Sequence, residues 1–85
     1  MRLDGDRRRE WLATSGFPER LREARKQSGL SLLAAEMESG VPHRLISMAE
    51  NGRVVPSVMN VAALARAMEV SVDWLVYGAD WEEES

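Results

Sequence analysis

The chain has 85 residues, no cysteine and one histidine, with 45% apolar and 29% charged residues and a formal net charge of −3. That length carries one domain, near the lower limit at which a core holds without metal or disulfide staples. The composition excludes a disordered chain, disulfide scaffolds, and zinc sites built from cysteines or several histidines, and the apolar runs fall far short of the roughly 20 residues of a bilayer span.

The charge is unevenly placed. Residues 1–16 hold four arginines against three acids, residues 17–79 balance seven bases with seven acids, and residues 80–85, DWEEES, hold four acids and no base. The acidity is largely that of the tail, and a neutral body leaves room for a basic patch on one face. MRLDGDRRREW at the N-terminus lacks the apolar run of a secretory signal, so the expectation is a soluble, cytoplasmic protein.

Residues 1–16 read as an N-terminal arm with room for a short helix, DRRREWLA, capped by Asp6 and broken at Thr14-Ser15-Gly16. From Phe17 to Ser28, apolar Phe17, Leu21 and Ala24 recur at the spacing of an amphipathic helix, with Pro18 in its first turn and Gly29 as its stop. Ser31 caps a second segment, LLAAEMES, ending at Gly40. A third runs from Pro42 to Glu50 and closes at Asn51-Gly52, both residues that tolerate positive φ. Pro56 and Ser57 open a fourth, whose Val58, Val61, Leu64, Ala65 and Met68 share a face, and Ser71 caps a fifth, VDWLVY, stopped by Gly78. The sum is an all-α, compact five-helix domain over 17–79, with an acidic tail over 80–85.

Two helices joined through Gly40, the second ending in Glu-Asn-Gly, make a helix-turn-helix pattern. Residues 20–78 resemble the Cro and repressor type, Xre-like helix-turn-helix domain, whose fold is lambda-repressor-like. The resemblance is carried by Leu21 and Arg25, Leu30-Ser31, Gly40-Val41, Ile46-Ser47, Glu50-Asn51-Gly52, Pro56 and the run Val70 to Leu75.

The resemblance implies a sequence-specific regulator of transcription, not an enzyme, acting as a homodimer on a double-stranded DNA operator. Its third helix would lie in the major groove with His43, Arg44, Ser47 and Met48 as candidate base readers. An arginine such as Arg44 can give two hydrogen bonds to guanine O6 and N7, worth about 1–3 kcal/mol of discrimination. Ser31, Asn51, Arg53 and Ser57 would meet phosphate, helped by amides around residues 55–58 at a helix N-terminus. Arg25 and Glu50 would pair to orient the helices. No cofactor or metal is implied, and the protein would work on the nucleoid. The chain resembles a stand-alone Cro-like regulator or the DNA-binding half of something longer.

Two positions depart from the pattern. Leu32 stands where the family has a phosphate-holding glutamine, and Glu36 stands where an alanine packs inward. The carboxylate would cap the amides of the third helix or pair with Arg44. Periodicity sets a second choice. At about 100° per residue Leu33, Ala34 and Met37 share one face, whereas the family register turns Ala35, Glu36 and Ser39 inward and exposes Leu33 and Met37.

Leu12, Leu45, Trp11 and Trp81 have no place in a five-helix core, so Trp11, Trp81, Leu33 and Met37 are candidate dimer or partner contacts, with coverage of the chain's own core as the other role for the tryptophans. A second function therefore stays open: a helix-turn-helix fold used to bind protein, as an anti-repressor or co-regulator. Catalysis finds no support, with one histidine and no phosphate-cradling glycine loop.

Overall fold

The computed structural model describes residues 3–78, and the expected acidic tail and Trp81 lie outside them. Among the described residues six helices form and no strand: α1 Leu3–Thr14, α2 Phe17–Gln27, α3 Leu32–Ser39, α4 His43–Glu50, α5 Val58–Ala67 and α6 Val72–Tyr77. Helices α2 to α6 are the five expected elements. The extra helix α1 starts earlier than expected, and Asp6 is its fourth residue, not its cap. Acidic residues suit any position of a first turn, so Asp6 did not mark the boundary.

Serine caps open three of the helices. The hydroxyls of Ser31, Ser57 and Ser71 accept the backbone N–H of Ala34, Asn60 and Trp74 at 3.0, 3.2 and 2.9 Å. Helices α2, α4 and α5 close alike. In α4, the N–H of Gly52 donates to Ala49 O and that of Arg53 to Met48 O, the pattern of a Schellman motif. Of the Asn51-Gly52 pair only Gly52 takes a positive φ. Asn51 stays at −95° and its Nδ2 donates to Ser47 O at 2.9 Å. Helix α5 makes the same closure with Glu69 at φ 58°, a left-handed residue with no glycine to signal it.

The core gathers one face from each of α2 to α6. Leu21, Ile46, Leu64 and Leu75 are fully buried, with Phe17 and Val41 beside them. Ala35, Ala49 and Ala65 are also buried, and their small side chains let α3, α4 and α5 approach closely. Val58 was expected on the buried face of α5 but is 75% exposed. It sits in the first turn at the edge of the apolar stripe, where it lines an open cleft of about 440 Å³ with Trp11, Phe17, Pro56 and Val76. Leu45, expected outside the core, is half-buried against it, because it flanks Ile46 and Ala49 on the inner side of α4.

Trp11 packs on Phe17 with ring centroids 5.4 Å apart, so α1 covers the start of α2. Arg20 ties α2 to the end of α6. Its Nε and Nη2 donate to the carbonyls of Leu75 and Val76 at 3.0 and 2.8 Å. Gly16 and Gly78 make room for it, since a Cβ on either would lie 2.6 or 3.1 Å from Arg20 Nη1. Arg20→Ala strands both carbonyls, and the expected cost is about 2 kcal/mol, read as a lower urea midpoint with α6 amides losing hydrogen-exchange protection first.

Candidate nucleic-acid interface

The site begins at the turn between α3 and α4. Gly40 takes φ +80°, which a side chain would resist, and its N–H donates to Glu36 O at 2.7 Å. Ser39 Oγ donates to Ala35 O at 2.6 Å and accepts the N–H of Val41 at 3.1 Å. Val41 is thereby drawn into the core and α4 is launched across α3.

Of the two registers open to α3, the structure adopts the one with Ala35 buried and Glu36 and Ser39 half-buried. Leu33 and Met37 are exposed at 60% and 84%. Leu32 is half-buried against the core, so its apolar side chain serves packing.

Glu36 does what one of its two expected roles required. Its Oε1 accepts the N–H of His43 at 2.9 Å, capping α4, and also meets His43 Nδ1 at 2.6 Å. These bonds, the ring contact first and the backbone N–H second, hold the Glu36 carboxyl below the usual carboxylate range. It reaches His43 and not Arg44, which is exposed and meets no carboxylate among the described residues.

The far end of α4 is held from α2. Arg25 Nε donates to Glu50 Oε2 at 2.6 Å, Nη2 donates to Glu50 Oε1 at 3.0 Å, and Nη1 donates to Leu30 O at 2.9 Å. Both side chains are largely withdrawn from water, at 12% and 5% exposure. The hydrogen bonds to Glu50 raise the Arg25 pKa above its ordinary value, against the opposing effect of burial. One guanidinium thus links α2, the segment before α3, and the end of α4.

Between these two clamps α4 turns Ile46 and Ala49 inward. At about 100° per residue, His43, Arg44, Ser47 and Met48 share an arc of about 140° on the opposite side. Arg44 and Met48 are exposed, while His43 and Ser47 are half-buried. The exposed Asn51 and Arg53 follow directly, and Ser31 and Ser57 sit exposed at the first turns of α3 and α5. Both carboxylates nearest α4 are engaged, Glu36 by His43 and Glu50 by Arg25. Glu38 lies on the other side of α3, over Ala63, Arg66 and Glu69 of the α5 end. The outer arc of α4 therefore carries Arg44 with no bare acid beside it.

A helix-turn-helix family model matches residues 21–75. The chain belongs to the Xre-like, Cro/repressor-type helix-turn-helix family. No curated protein matches it. The family is one of DNA-binding regulatory domains, so this chain has the fold of a DNA-binding transcription regulator, which implies DNA as partner. No helix among the described residues is long and apolar enough to cross a membrane. Also among them, no group of three His, Asp or Glu residues could hold a metal. Beyond the expected cap on the α4 amides, sequence reasoning missed the contact of Glu36 with the His43 ring. Its signal was a carboxylate in the helix-turn-helix domain seven residues before the first residue of α4.

Two stability outcomes follow from the clamps. Glu50→Ala leaves Arg25 uncompensated and is expected to cost about 3 kcal/mol, whereas the double change Arg25→Met with Glu50→Leu recovers most of that loss in urea melts. Glu36 has a lowered folded-state pKa, so its stabilisation is present above the ordinary carboxylate range and fades as pH falls through the lowered value. Glu36→Gln should flatten that acid limb in melts run below about pH 4.5.

Proposed function

We propose that this chain is a sequence-specific double-stranded DNA-binding repressor, working in the cytoplasm as a homodimer on a palindromic operator. The observation that carries the reading is the outer arc of α4. Arg44 stands exposed there beside His43, Ser47 and Met48, on a helix held rigid at both ends. Arg44 supplies a bidentate donor for guanine. Arg53, Asn51, Ser31 and Ser57 supply phosphate contacts that set register without reading sequence. One such module reads only a few base pairs, so useful specificity calls for two copies about one helical turn apart. Exposed Val58 and Met59, next to the apolar cleft, offer surface for that pairing.

A second reading has its own support. Leu33, Met37, Val58 and Met59 are all exposed, and Leu32 removes one phosphate contact. Such surface suits a protein ligand, as in an anti-repressor or co-regulator.

Salt separates the two. Operator binding loses affinity steeply as salt rises, through counterion release from several phosphates, whereas an apolar protein interface hardly responds. In binding-site selection from random duplexes, Arg44→Ala should relax one base position of each half-site and cost about 1–3 kcal/mol there. Arg53→Ala should weaken all sequences alike and reduce the salt slope by about one. Unchanged profiles and slopes in both variants contradict the operator reading.

A further inference from the structure

The operator reading leaves open what His43 reads, and the contact at its back answers that. His43 opens α4, the end that this class of domain directs at base edges. Its Nδ1 lies 2.6 Å from Glu36 Oε1, and the same oxygen accepts the His43 backbone N–H at 2.9 Å. The ring is thereby fixed in position and direction while 45% of the side chain stays exposed. An ionised carboxylate only accepts hydrogen bonds, so the ring nitrogen facing it must carry the proton.

We propose that Glu36 is the positioning residue that sets the base preference of His43: it keeps the proton on Nδ1 and presents a bare Nε2 to the major groove, as an acceptor for the exocyclic amino group of adenine or cytosine. The proposal rests on the operator reading and extends it. A bare Nε2 has nothing to give a phosphate, a guanine O6 or N7, or a thymine O4, all of which are acceptors. A second proton, on Nε2, reverses the preference toward those acceptors.

Helix α4 packs against α2 and α3. From α3 the group that meets the ring is Glu36. From α2 the cation that reaches α4 is Arg25, spent on Glu50 at the other end of the helix. On α4 itself the neighbouring charge is Arg44. Glu36 stays a carboxylate near neutral pH because its bonds to His43 lower its pKa.

The test uses this chain and its Glu36→Ala variant, which removes the oxygen that faces Nδ1 and so no longer dictates the tautomer. His43 is the one histidine of the sequence, so a nitrogen-15 spectrum of the imidazole reports it alone. On the neutral imidazole the unaltered chain should show its proton on Nδ1, and Glu36→Ala should move it toward Nε2. Site selection from random duplexes should give one half-site position favouring adenine or cytosine by about tenfold. That preference should broaden in Glu36→Ala with the Arg44 position intact. An Nε2 proton in the unaltered chain, or the same profile in both proteins, overturns the proposal and leaves Glu36 a helix cap. Enrichment of no duplex at all overturns the operator reading and this proposal with it.

Discussion

The Arg25–Glu50 pair fixes the end of α4 against α2 and the segment before α3. Alignment of two short helices by apolar packing alone is loose, because α3 and α4 have only eight residues each. Arg25 removes that looseness with three directed hydrogen bonds. Two go to the last residue of α4, and one goes to the Leu30 carbonyl just before the Ser31 cap of α3. The pair is largely out of water, so its net worth to stability against an apolar substitute is small, while the penalty for breaking it is large. Its value lies in orientation: the outer arc of α4 is aimed by a contact at the last residue of the helix.

At the other end of α4 the Glu36–His43 contact does a related job with half-exposed partners. The two clamps differ in consequence. A buried guanidinium–carboxylate pair is indifferent to pH across the neutral range. An imidazole held by a carboxylate is polarised, and its outward nitrogen takes its chemistry from the inward one. Anchoring and the proposed recognition therefore meet in one side chain at the start of α4, whereas Arg44 next to it is free of internal carboxylates among the described residues. The arrangement makes α4 a surface with a strong donor beside a programmable group.

Much of this fold was legible in the sequence, for identifiable reasons. Ser31, Ser57 and Ser71 act as caps through their own local hydroxyls, and Gly29, Gly40 and Gly52 end helices through backbone geometry that few other residues accept. Such signals need no knowledge of the rest of the chain. Glu69 shows the limit: it takes the same left-handed position without a glycine, because tertiary packing of α5 against α6 outweighs a local strain of about 1 kcal/mol. In α3, periodicity alone favoured burying Leu33 and Met37. The close packing of α3 on α4 and α5 demanded the small Ala35 at the contact instead, and left the large side chains outside. Arg20 was invisible for a different reason. Its partners are carbonyls 55 and 56 residues away, and only the two glycines that make room for it hinted at a close approach. Of the candidate site, the helix that carries it was readable. The rotamer that sends Glu36 to His43 rather than to Arg44 was not, since either partner satisfies the same charge argument.

The proposed contact between the outer arc of α4 and nucleic acid is tested by a backbone amide spectrum of the nitrogen-15-labelled chain titrated with a selected duplex. The largest shift changes should fall at residues 43–48, with further changes at 51–57 and at the first turn of α3. Changes confined to Leu33, Met37, Val58 and Met59, with residues 43–48 silent, would contradict it.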